Sequence, residues 1–283
     1  MIQPRSVRYQ RMIRRVKQPR ASIRVFASIL RPRAPVILLS HPRSYSSLLC
    51  HLLNESSEID GYGELQMSYE SPLDLLRMRR RVTKTIGGPL TGRYVLDKVL
   101  SNRLQVAPKR VETRNSRIFV TVRQPDETIR SMVGVQGASN WPKWTQSVAH
   151  ASTFYSSRLD GIRRFAAEGS PYFVFPAEAI VDQTDDLLAA LTKELGLSER
   201  LTDSYSSGSR TGRPGFGDPS ANIRAGKVVR DRERHEVLIP AYDRAALWAK
   251  YHETCKFLVD NACRASLTDS FCWTMPEIAG PLI

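Results

Sequence analysis

No acidic residue occurs in the first 33 positions, where ten arginines and lysines lie. A stretch so charged and so poor in apolar side chains buries too little surface to offset its ordering entropy, so no packed core is expected there. Its longest apolar stretch, around Val25 to Leu30, is far too short for a membrane-spanning helix or for the apolar region of a secretory signal. The expectation is a soluble, cytoplasmic protein without a standard export signal. Cysteine is scarce as well: Cys50, Cys255, Cys263 and Cys272 show no C-x-x-C spacing and no histidines at metal-ligand intervals. That pattern excludes a disulfide scaffold and a structural zinc site, and no metal is expected. The string G-x-x-x-x-G-K-[ST] is missing throughout, which removes the ordinary nucleoside-triphosphatase phosphate loop.

What is present is a chain of 283 residues, 41% apolar, with a net charge of +14. Length and composition suit one large α/β domain with a sizeable core. Beyond residue 33 the remaining basic residues only slightly outnumber the 28 acidic ones, so the body is mildly basic and the excess charge sits in the arm. The domain reading is a mobile basic arm, residues 1–33, followed by a single domain, residues 34–283. The arm's charge suits nucleic acid, anionic lipid or an acidic polymer, and an Arg-rich, acid-free terminus also matches an organelle transit segment. No specific nucleic acid is expected, and for membrane contact the sequence holds no further support.

Short apolar strands alternate with helical patterns along the chain. Val36 to Leu39, Tyr94 to Leu96, Ile118 to Val122 and Tyr172 to Phe175 read as strands. Helical periodicity covers parts of 65–82, a segment from Asp126, the run Val148, Tyr155, Leu159, Ile162 and Ala166, Thr184 to Leu195, and Tyr242 to Ala265. Residues 83–92 read as a loop, Gly137 to Thr145 as a loop or lid, and Ser204 to Asn222 as a long irregular segment. The pattern predicts a single α/β domain, a mostly parallel central sheet flanked by helices, with its ligand at the carboxyl ends of the strands.

The organising stretch is PVILLSHPRSYSSLLC, Pro35 to Cys50: buried strand, polar turn, buried helix. The first N–H groups of such a helix have no intrahelical partner and the dipole adds positive potential, so the turn is an anion site. Arg43 adds a full charge, and the hydroxyls of Ser44, Ser46 and Ser47 add neutral donors. By itself the loop also fits a plain turn with N-cap serines.

PRSYSSLL resembles the 5′-phosphosulfate loop of sulfotransferases that use 3′-phosphoadenosine 5′-phosphosulfate (PAPS), commonly PRSGSTLL, with Tyr45 where glycine is usual. FVTVRQPDETIRSM resembles that family's 3′-phosphate segment, placing Arg123 and Ser131 on one phosphate, with Gln124 where aspartate is common. Asp97-Lys98 resembles the family's DK or NK step, in which the lysine lies near the transferring group. IDGYGE resembles the segment in which tyrosylprotein-type and related bacterial sulfotransferases place a glutamate beside the acceptor hydroxyl; Glu64 is that position. GDPSANIRAGKV resembles a third cofactor segment, with Ser220 and Lys227. The resemblance runs in order from Pro35 to Ala265 and implies a P-loop-like sulfotransferase fold. It further implies sulfuryl transfer from PAPS to a hydroxyl or amine acceptor, Arg43, Ser44, Tyr45, Ser46, Ser47, Arg123, Ser131, Ser220 and Lys227 on the cofactor, and Arg43, Lys98 and Glu64 in the chemistry. Glu64 is the first candidate base, with His51 and His150 behind it. The competing readings are a P-loop-like nucleotide kinase and a noncatalytic nucleic-acid binder that works through the arm.

Overall fold

A computed structural model describes residues 19–61, 63–113, 115–134, 145–206, 222–230 and 236–262. Strands β1 (Ala34–Leu39), β2 (Ile59–Gly61), β3 (Tyr94–Val99), β4 (Arg117–Val122) and β5 (Phe173–Pro176) form one parallel sheet. Their order is β2-β3-β1-β4-β5. The chain moves outward from β1 to β2, returns through β3, and then crosses to β4 on the other side. The strand order therefore reverses around β1, where a crevice opens at the carboxyl ends of β1, β3 and β4.

Successive side chains on a strand point to opposite faces, which sorts the core into two layers. Val36, Leu38, Leu96 and Phe119 face α2 (Ser46–Asn54) and α8 (Thr184–Leu195). Ile37, Leu39, Val95, Val99 and Val120 face α3 (Asp74–Ile86), α5 (Pro125–Gly134), α6 (Val148–Ala167) and α9 (Ala241–Asp260). Two short helices, α4 (Pro108–Val111) and α7 (Ala179–Asp182), complete the connections. Gly61 allows β2 to lie against β3, because a Cβ there would sit 2.7 Å from Leu96.

Four local expectations change. β3 runs on to Val99, past the Asp97-Lys98 pair where it was expected to end, and those two residues lie one on each face of the sheet. The helix expected within 65–82 begins only at Asp74, whose carboxylate accepts the N–H groups of Glu70 (2.9 Å) and Ser71 (2.7 Å) and closes a turn there. It then continues through Thr83, in the expected loop, until Gly87 ends it in the left-handed region at φ 69°. The last helix stops at Asp260 instead of Ala265.

The stretch read as a basic arm contains a helix, α1 (Pro19–Leu30). Its second half is tied to the body: Ser28 Oγ accepts from Leu90 N–H (3.1 Å), Arg79 donates to the Ile29 carbonyl (2.6 Å), and Arg33 donates to the Leu90 carbonyl (2.6 Å). These partners lie fifty or more residues away, beyond the reach of local composition. Residues 1–18 and most of the Gly137–Thr145 loop lie outside the described residues. Among the described residues no helix is long and apolar enough to cross a membrane.

Candidate active site

The turn after β1 holds two non-glycine residues in the left-handed region, Arg43 (φ 65°) and Tyr45 (φ 56°). Each costs on the order of 1 kcal/mol, so neighbouring contacts must fix the path. The Ser44 hydroxyl lies 2.6 Å from both Ser40 Oγ and the His41 carbonyl, and Ser40 Oγ reaches the Thr121 carbonyl (2.6 Å). Arg123, the first residue after β4, donates to the Arg43 carbonyl (3.0 Å) and lays its guanidinium 4.2 Å from the Tyr45 ring centre. That cation–π contact offsets the strain of a side chain where glycine is usual. The Ser44 hydroxyl is buried and bonded to Ser40 and the His41 carbonyl, so its side chain holds the path of the loop.

Tyr45, at the N-cap of the helix that follows, makes no side-chain capping hydrogen bond. The N–H groups of a helix's first turn have no intrahelical partner and point toward this turn. Lys98 reaches the same point from β3. Its side chain is buried, and its ammonium donates to Ser47 Oγ (2.7 Å). A buried cation, the positive end of a helix and the Ser46 and Ser47 hydroxyls thus converge, which is a donor set for phosphate or sulfate oxygens.

Arg43 extends away from that point to α5, where its Nε donates to Ser131 Oγ (2.8 Å). Arg123, expected to meet one phosphate together with Ser131, donates to the Arg43 carbonyl and to Glu127 (3.3 Å). Arg43, Arg123 and Ser131 thus form one cluster. Ser131, accepting from Arg43, keeps its own proton to donate.

Glu64 is tied to β3 on its carboxyl side, where Leu65 N–H donates to Asp97 Oδ1 (2.8 Å). Gly63 before it sits at φ 105° beside Lys98. The Glu64 charge is felt at Cys50, whose thiol burial pushes up to about 12, and at Asp97. Asp97 also accepts from Tyr69 Oη (2.6 Å). Burial raises its carboxyl to about 7, against the opposing hydrogen bonds. The folded protein then binds more protons than the unfolded chain between about pH 4 and pH 7. This group's contribution is fully present below its unfolded pKa and lost as pH rises through about 7. Asp97→Asn removes the titration, so the wild-type advantage over the variant should shrink from about pH 4 to about pH 7 and then level off. Denaturant unfolding of both proteins across that range checks this, and a pH-independent difference would contradict it.

The remaining candidates separate. His51, on α2, stacks on Tyr205 with ring centres 5.1 Å apart. His150 is exposed in the first turn of α6, where its ring and its N–H meet the N-cap Ser147 hydroxyl. Lys227 is exposed on a strip that pairs with Ser204, and Ser220 lies outside the described residues.

Two residues that hold the site escaped the sequence reading. His41 Nε2 accepts the Arg123 backbone N–H (2.9 Å), so its proton sits on Nδ1 and is donated to the Pro42 carbonyl (2.8 Å). Burial, ahead of the nearby cations, pushes this ring down to about 3, which keeps it neutral. Arg158, buried on α6, donates to the carbonyls of Ser40 (2.7 Å) and Val99 (2.7 Å) and so joins the ends of β1 and β3. A signal existed: Arg158 falls three residues after Tyr155 and four before Ile162, on the apolar stripe of its helix.

No family model and no curated protein matches the sequence. Among solved structures, a sulfotransferase domain from the curacin biosynthetic pathway aligns with a TM-score of 0.51 and 16% identity, covering 81% of this chain and 98% of that one. The chain has the sulfotransferase fold. A mouse sulfotransferase, SULT7A1, complexed with PAP aligns at a TM-score of 0.49 and 12% identity, covering 83% of this chain and 90% of its own. Within this fold, the turn after β1 and the start of α2 form the loop that the sequence singled out.

Proposed function

We propose that this chain is a sulfotransferase that moves a sulfuryl group from PAPS to a hydroxyl or amine acceptor. The observation that carries the reading is the buried Lys98 ammonium on Ser47 at the amino end of α2. A fixed cation facing the orphan N–H groups of a helix suits the phosphate oxygen from which a sulfuryl group departs. PAPS supplies the sulfuryl group and a nucleotide leaving group.

The protein's part is positioning and charge. Lys98, the first N–H groups of α2 and the hydroxyls of Ser46 and Ser47 hold the 5′ end and stabilise negative charge there. Arg43, Ser131 and Arg123 form the 3′-phosphate site, the first two sharing a hydrogen bond. Glu64 takes the acceptor's proton. In-line transfer of this kind asks for the same elements as phosphoryl transfer.

Calorimetry with 3′-phosphoadenosine 5′-phosphate (PAP) and with AMP tests the cofactor. An extra phosphate met by charge-assisted hydrogen bonds should give PAP about 10- to 100-fold tighter binding. Equal affinities would remove the 3′ assignment of Arg123 and Ser131, and tight binding of ATP without a PAP preference would favour the kinase reading. The acceptor follows from a search for sulfated products in cells with and without the gene.

A further inference from the structure

We propose that the exposed apolar stripe of α1, with the exposed cations Arg24 and Arg31 beside it, seats the protein on an anionic lipid surface. Ile23, Phe26 and Leu30 are 69%, 64% and 54% exposed. Their spacing of three and four residues places all three on one narrow arc of the helix. Ser28, buried, is on the opposite side and faces the body. Because Ser28, Ile29 and Arg33 are hydrogen-bonded to Leu90 and Arg79, the helix is not free to roll its stripe inward. An apolar ridge held outward by tertiary contacts is a surface that some partner covers.

Charge identifies that partner. The ten basic residues of positions 1–33 face no acid in the same stretch. The helix packed against α1 adds exposed Arg80, Arg81 and Lys84, and its one acid, Asp74, is paired with Arg77 (2.7 Å). An amphipathic helix with bulky apolar side chains on one arc and cations around it has the form of an interfacial anchor, which anionic headgroups hold electrostatically. A second copy of the chain would cover the stripe but would bring two such cationic segments together. A nucleic acid would meet the cations and leave Ile23 and Leu30 with nothing to pack on.

The placement fits a docking surface. α1 leads directly into the amino end of β1, and its partner Leu90 precedes the amino end of β3. The candidate site lies at the carboxyl ends of those strands, so seating through α1 leaves the crevice open. The inference is independent of the sulfuryl-transfer reading, since it uses none of the same residues.

Vesicle flotation of the full chain tests it, with phosphatidylcholine alone and with about one third phosphatidylserine added. The chain is expected to float with the anionic vesicles at least tenfold more than with the neutral ones, less so at high salt. Replacing Ile23, Phe26 and Leu30 together by glutamine, a good helix former, should cut that partitioning at least tenfold with an unchanged thermal midpoint. Flotation of the glutamine variant equal to wild type would overturn the role of the stripe, as would absence of wild-type flotation. Sedimentation showing a dimer that the variant loses would assign the stripe to a second copy, and DNA-duplex binding equal in wild type and the glutamine variant, with no wild-type flotation, would assign the arm to nucleic acid.

Discussion

Lys98→Met is expected to lower turnover about a thousandfold, a loss of the size seen when one preorganised donor is taken from a developing negative charge, at the upper end because the donor carries a full charge. The Lys98 ammonium is buried and donates to Ser47, in the first turn of α2. In that position it costs no reorganisation as charge builds on a leaving oxygen. Methionine keeps the length and apolar character of the stem. The exchange also removes a buried charge that costs desolvation energy, so the variant should melt no lower than wild type. Thermal unfolding and steady-state kinetics on the same preparation separate the two roles. Turnover within about threefold of wild type would make Lys98 a structural tie between β3 and α2.

Glu64→Gln should lower turnover by roughly two to four orders of magnitude and leave PAP affinity nearly unchanged. The argument is positional. Gly63, at φ 105°, lets the chain pass close to Lys98, and the next N–H, on Leu65, is pinned to Asp97. The backbone just after Glu64 is thereby tied to the strand that carries Lys98, so under the proposed mechanism the base and the transfer centre would share one support. Glutamine preserves shape and removes the proton acceptor. If the variant turns over normally with its true acceptor, Glu64 is structural. His51 is then the next candidate, because it lies on α2, whereas His150 serves the N-cap of α6.

The core strands were legible because they obey local rules. Val36 to Leu39 and Ile118 to Val122 are apolar and β-branched runs bounded by polar turns, and all are buried in parallel strands. The helix carrying Tyr155, Leu159 and Ile162 announced itself by period. Boundaries were less legible where a distant group sets them. Nothing within residues 65–73 says that Asp97, on β3, will take the Leu65 N–H and Tyr69 hydroxyl and keep that segment out of the helix.

For the candidate site, sequence alone determined which residues assemble: Arg43, Ser46, Ser47, Lys98, Arg123 and Ser131 follow or end strands that converge around β1, and Glu64 follows β2 closely. Spacing along a chain reports which strand end a residue belongs to, because strand period and parallel topology are local and general. Only the tertiary structure decided what each side chain does there. It turned the Ser44 hydroxyl inward, sent Arg43 to Ser131, stacked Arg123 on Tyr45, kept His41 neutral as an acceptor, and set Arg158 across two strand ends. Those outcomes depend on donors and acceptors separated by up to 118 residues, which compete for one another only once the sheet has brought them together.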